Sequence, residues 1–178
     1  MNGDGAQKYY GKYRGTVLNN VDPLRLGRIQ VIVPDVSIIP STWAMPCFPV
    51  AGKQMGLFTM PQIGSGVWVE FEHGDSDFPI WTGCFVGLAA EVPNAALLNN
   101  PASPGIVMQT TLQNAITILD LPPAAPPAPL TGGIMLRSTT GASIVVNDVG
   151  IFLDNGKGAS IKMVGPTITI NNGALMIV

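Results

Sequence analysis

Charge is scarce in this chain. Asp, Glu, Lys and Arg make up 11% of its 178 residues, less than half the share usual in a soluble domain. With 47% hydrophobic residues the chain is too apolar for a disordered segment. Long apolar runs are also missing, and no stretch reaches the roughly 18 uninterrupted apolar residues of a membrane helix. The opening, MNGDGAQKYY, lacks the apolar region of a signal peptide. Cys47 and Cys84 are the only cysteines, and their spacing fits no zinc ribbon or redox motif. Two buried free thiols are expected; a disulfide is the alternative and needs close Cβ geometry. The single histidine, His73, has no nucleophilic Ser or Cys in motif context, which argues against catalysis. A net charge of −2 argues against general nucleic-acid binding.

What is present in quantity is Gly and Pro, 21 and 16 residues, scattered along the chain. They leave little room for long helices and predict an all-β protein of short strands. From about residue 9 to 90 several strands alternate between turn signals. Residues 13–18 read as a strand, and NNVDPLRLG as a turn closed by Gly27. Residues 28–33 place Ile29, Val31 and Val33 on one face. Residues 43–50 hold two prolines and predict an edge or irregular strand. Residues 56–60 read as a short strand. In 66–72, Val67, Val69 and Phe71 share a face, and a strand over 79–86 follows the polar turn HGDSD. The count fits a five-stranded Greek-key barrel of the OB type.

Residues 91–133 read as a connecting segment with one strand, 110–119. Pro122 to Pro129 is Pro/Ala-rich and is expected to be extended and semi-rigid. The first eight residues are expected to be flexible. Residues 134–178 carry a succession of short strands: IMLRS, SIVVND, GIFLD, ASIKM, TITIN and ALMIV. Their alternation puts Ile134, Leu136, Ile144, Val146, Ile151, Leu153, Ile161, Met163, Ile168, Ile170, Leu175 and Ile177 on one face. So few residues with one apolar face do not make a stable domain alone. Two packings satisfy the pattern. Three copies form a prism with the faces on a shared axis and strand edges paired between chains, or the strands pack back on the first barrel.

Glu70, Glu72, Asp75 and Asp77 cluster around the HGDSD turn. Such a cluster holds Ca²⁺ in some proteins; a solvated turn is the simpler expectation here. The basic segment with Tyr9, Tyr10 and Tyr13 has a second reading as an OB-type nucleic-acid face.

The stretch VDPLRLGRIQVIVP resembles the opening of the phage baseplate assembly protein V family. The family shares its OB domain with contractile-tail spikes and with the VgrG proteins of type VI secretion. The likeness is densest at MPQIGSGVWVEFEHGDSDFPIWTG, residues 60–83, with Pro61, Gly64, Val67, Val69, Phe71, Gly74, Asp75, Pro79, Ile80 and Gly83 in the family order. It covers about residues 9–90. The resemblance implies an OB domain followed by a trimeric β-helical spike. It also implies a structural role in a virion tail baseplate or a phage-derived particle, with no enzyme activity and no cofactor. The trimer core is then Ile134, Leu136, Ile144, Val146, Ile151, Leu153, Ile161, Met163, Ile168 and Ile170. Tyr9, Tyr10, Lys12 and Tyr13 are expected to contact the tail hub, and the spike the target cell envelope. Some relatives carry a lysozyme domain, for which 91–133 is too short. Others bind iron at the apex through paired histidines, which a chain with only His73 does not have. Leu175, Met176, Ile177 and Val178 either contact a tip protein of the PAAR kind or form the last core layer.

Overall fold

A computed structural model describes residues 7–122 and 131–177. Residues 1–6 and 123–130, which hold most of the first eight residues and of the Pro/Ala-rich run on which two expectations fell, lie outside the described residues. Two compact units divide the chain, Met1–Ala89 and Ala90–Val178.

The first unit contains β1 (Tyr13–Asn19), β2 (Gln30–Ile32), β3 (Met45–Pro46), β4 (Ala51–Gly52), β5 (Met55–Gly56), β6 (Gly66–Phe71) and β7 (Pro79–Phe85). Five of these form one sheet in the order β2-β1-β6-β7-β3, and β4 pairs with β5 in a separate two-stranded ladder. An isolated antiparallel bridge joins Ile29 to Ala44, the residues just before the two end strands β2 and β3. Their N–H groups donate to each other's carbonyls at 3.2 and 2.7 Å. The alternation in the sequence is realised directly. Ile29, Val31, Val33, Val67 and Val69 are buried, with Val17, Ala44, Phe71 and Trp81, in one apolar cluster.

Two expectations change here. In place of the strand expected over 56–60 stands the two-residue ladder of β4 and β5, extended by the Leu57 N–H donating to the Val50 carbonyl at 3.2 Å. Phe58 stacks on Phe48 with ring centroids 5.2 Å apart. The cysteines are exposed free thiols rather than buried ones. Cys47 lies beyond the short β3, and Cys84 lies near the end of β7 opposite Val67.

The second unit is an antiparallel meander with one short helix, α1 (Asn94–Leu97). Its strands are β8 (Ile106–Gln109), β9 (Ala115–Leu119), β10 (Gly133–Arg137), β11 (Ser143–Asn147), β12 (Gly150–Asp154), β13 (Ser160–Val164), β14 (Thr167–Ile170) and β15 (Leu175–Ile177). They form one eight-stranded sheet in strict sequence order. The sheet thus starts at Ile106, inside the segment read as a connection. Each strand pairs with the next in sequence, across turns of two to five residues and, between β9 and β10, a longer connection, so the ladder lies within the chain and not between chains as expected. Only β8 and β15 have a free edge among the described residues.

Gly27 locks the first unit's long turn. Its φ is +83, and a Cβ there would stand 2.7 Å from Phe48 Cζ. Its carbonyl accepts the Trp81 indole N–H at 3.0 Å, in the buried interior. Gly27→Ala is expected to destabilise the protein by at least about 1–2 kcal/mol from the backbone conformation alone. Chemical denaturation followed by tryptophan fluorescence measures it.

Candidate functional site

The feature that dominates the second unit is a face. The strand registers align one side chain from every strand into each of two rows. One row runs Ile106, Ile118, Ile134, Val146, Ile151, Met163, Ile168, Ile177. The other runs Met108, Ile116, Leu136, Ile144, Leu153, Ile161, Ile170, Leu175. No polar residue interrupts either row. All but Leu153, Met163 and Ile170 are exposed by 36% or more, and Ile106 reaches 61%.

The other face behaves differently. Thr117 and Val145 are 2% and 8% exposed, and Val107, Met135, Phe152, Lys162 and Thr169 are half-buried. Helix α1 lies along part of this side, with the Ala95 N–H donating to Gln109 Oε1 at 3.0 Å. The less exposed face thus mixes apolar residues (Val107, Met135, Val145, Phe152) with Thr117, Lys162 and Thr169, while the more exposed face is aliphatic throughout its two rows. A half-buried sheet ordinarily turns its apolar face inward.

Every core residue expected from sequence, Ile134 to Ile170, lies in these two rows. Leu175 and Ile177 end the rows on β15 and are 53% and 54% exposed. The side chain of Met176 and all of Val178 lie outside the described residues. The rows also take in Ile106, Met108, Ile116 and Ile118, which the sequence reading did not place there. The signal was available, since IVMQ and AITIL alternate with the same period.

The four residues expected at a hub contact divide. Tyr9 and Tyr13 turn toward the chain's own core, 5.9 and 5.6 Å from the Phe71 ring. Lys12 pairs with Glu70 at 2.7 Å and donates to Thr82 Oγ1 at 2.9 Å. Tyr10 remains 72% exposed. In the acidic turn, Asp75 faces Lys8 at 3.7 Å. No group of three or more His, Cys, Asp or Glu among the described residues is arranged to hold a metal ion.

A polar knot organises the long turn of the first unit. Asp22, its side chain only 3% exposed, receives Arg28 Nη2 at 2.6 Å. Its carboxylate also accepts the N–H groups of Leu24, Leu26 and Arg28 at 3.0, 2.7 and 3.3 Å. The Arg28 guanidinium holds the Asp22 carboxyl well below the usual carboxylate range; burial opposes this, and the backbone N–H groups add to it. Arg28 also lies 5.4 Å from the centre of the Trp43 ring. Apart from Trp43, all of this falls in the VDPLRLGR stretch.

A five-stranded β unit followed by a sheet with an uncovered aliphatic face defines a self-associating structural protein. Residues 13–85 match the family described as type VI secretion system/phage-baseplate injector OB domain. Residues 105–176 match the phage baseplate V C-terminal trimerisation domain. The chain therefore belongs to the phage baseplate V family of injector proteins, with an OB domain and a trimerisation domain. The second match begins at the first strand of the meander. A comparison with curated proteins returned no match.

The Asp22 knot has a pH signature. A folded pKa below the unfolded value, about 3.9, gives stability that is complete above that value and lost as pH falls below it. Asp22→Asn is expected to lower the melting temperature at pH 7. The gap to the unsubstituted protein is expected to narrow as pH falls below about 4; calorimetry across pH 2.5–7 checks this.

Proposed function

We propose that three copies of this chain form the central spike of a contractile tail baseplate. Their trimerisation domains make a three-sided β-prism, and their OB domains attach it to the tail hub. The observation that carries this reading is the pair of unbroken aliphatic rows left exposed on one sheet face. Three such sheets facing a common axis remove these rows from water together. Each fully buried aliphatic side chain contributes roughly 1.5–3 kcal/mol before ordering costs. The prism contains one sheet from each chain rather than strands interleaved between chains.

The role is mechanical. Sheath contraction supplies work, and the spike transmits it to the target cell envelope through a stiff, continuously hydrogen-bonded shaft. Seven strand spacings of about 4.8 Å give a sheet roughly 34 Å tall. In the first unit, the Ile29–Ala44 bridge supports reading the five-stranded sheet as a closed OB barrel. Tyr10, the exposed member of the aromatic group, is the best placed of the four candidates for hub contact. The exposed Leu175 and Ile177 on the free-edged β15 fit a tip protein of the PAAR kind. The role requires no catalysis. A type VI secretion spike is the second reading, favoured by the description of the matched OB domain.

Ile151→Asp places a carboxylate in the middle of one row. An unpaired charge buried on the axis costs about 3–5 kcal/mol per chain. The variant is expected to sediment as a monomer while circular dichroism still reports β structure in the OB unit. Particles assembled with it are expected to lack a spike by electron microscopy and to fail in delivery. Spiked, active particles carrying Ile151→Asp would contradict the proposal.

A further inference from the structure

The turns along the two lateral edges of the meander differ in charge, and the difference repeats. One edge is marked by the paired residues Leu119 and Gly133 and by Asn147 and Gly150. Asp120 and Asp148 lie on this edge, immediately beyond β9 and β11. The opposite edge is marked by Arg137, Ser143, Asp154 and Ser160. It carries Arg137 at the end of β10 and Lys157 in the turn after β12. All four of these charged groups are exposed, and none makes an ion pair within the chain among the described residues. Asp154 is the one acid on the basic edge, and its carboxylate is turned onto the Gly156 N–H at 2.6 Å.

The spacing is regular. Arg137 lies one strand beyond Asp120, and Lys157 lies one strand beyond Asp148. One strand spacing is about 4.8 Å, within reach of a Lys or Arg side chain. The basic edge is also held in shape by its own turns. The Thr139 N–H donates to Asn114 Oδ1 at 3.1 Å, and its hydroxyl donates to the Leu112 carbonyl. A Cβ on Gly156 would stand 2.8 Å from Ala142 N, so the next turn sits directly against this one.

We propose that the protomers of the trimer meet head to tail at these edges, with Lys157 of one copy paired with Asp148 of the next and Arg137 with Asp120. The proposal rests on the trimer reading above. A closed threefold ring uses heterologous contacts, in which one patch meets a different patch on the neighbour. With the aliphatic faces turned to the axis, each corner of the prism joins one lateral edge to the opposite lateral edge of the next copy. An acidic edge and a basic edge then complement one another at every corner, and the uniform one-strand offset sets the vertical register. Slipping by a strand brings the acids and bases out of step.

The test uses the full chain and two measurements. A zero-length carbodiimide couples a carboxylate to an amine. Asp148 and Lys157 flank the five residues of β12, which span roughly 17 Å, so such a link does not form inside one chain. Mass spectrometry is expected to find a peptide joining 148 to 157, absent in Lys157→Gln. Asp148→Lys and Lys157→Asp are each expected to weaken the trimer about tenfold or more, because three exposed pairs become repulsive at once. The double reversal is expected to recover most of the loss. A wild-type trimer with no 148–157 link, or a double variant as weak as the two effects combined, overturns the edge pairing and leaves the trimer reading standing. A wild-type monomer overturns both.

Discussion

An aliphatic face that a single chain leaves uncovered is the constraint on which the rest of this structure depends. Two rows of Ile, Leu, Val and Met run the full height of an eight-stranded sheet without a polar interruption. A face of that kind in water invites aggregation unless copies cover it in a defined way. The scarcity of charge and the partly covered opposite face are consistent with a sheet that associates through its aliphatic face. The match of this segment to a trimerisation domain states the same conclusion from sequence kinship.

The first unit solves the opposite problem. Its apolar residues close on each other, and Ile29, Val31, Ala44, Val67 and Val69 are essentially inaccessible. Its long turn, which has little apolar material to anchor it, is held by polar contacts instead. Asp22 gathers Arg28 and three backbone N–H groups, and Trp81 ties Gly27 to the core. A self-contained module and a cooperative one thus lie in tandem.

Much of this was legible in the sequence, and the reasons are specific. Strict alternation from Ile134 to Ile177 fixes which side chains share a face, because the side-chain period of a strand is two. It does not say which edges pair; all but the β9–β10 connection are turns too short to bring in any other partner. The strand β8 escaped because Thr110 to Asn114 holds no Gly or Pro to mark a turn before β9. In the structure that stretch is a turn, with Gln113 at φ 65. The tyrosines show a further limit. Nothing in KYYGKY separates Tyr9 and Tyr13, which pack on Phe71, from the exposed Tyr10. The exposure of the cysteines was hidden for a similar reason, since residue type alone does not show that a strand ends beside them.

The central claim is that the second unit is stable only as a threefold assembly. Light scattering on the purified full-length chain, over a wide range of concentration, tests it most directly. A single species of three times the 18.6 kDa chain mass that persists on dilution is expected. A well-folded, non-aggregating species of one chain mass would contradict it.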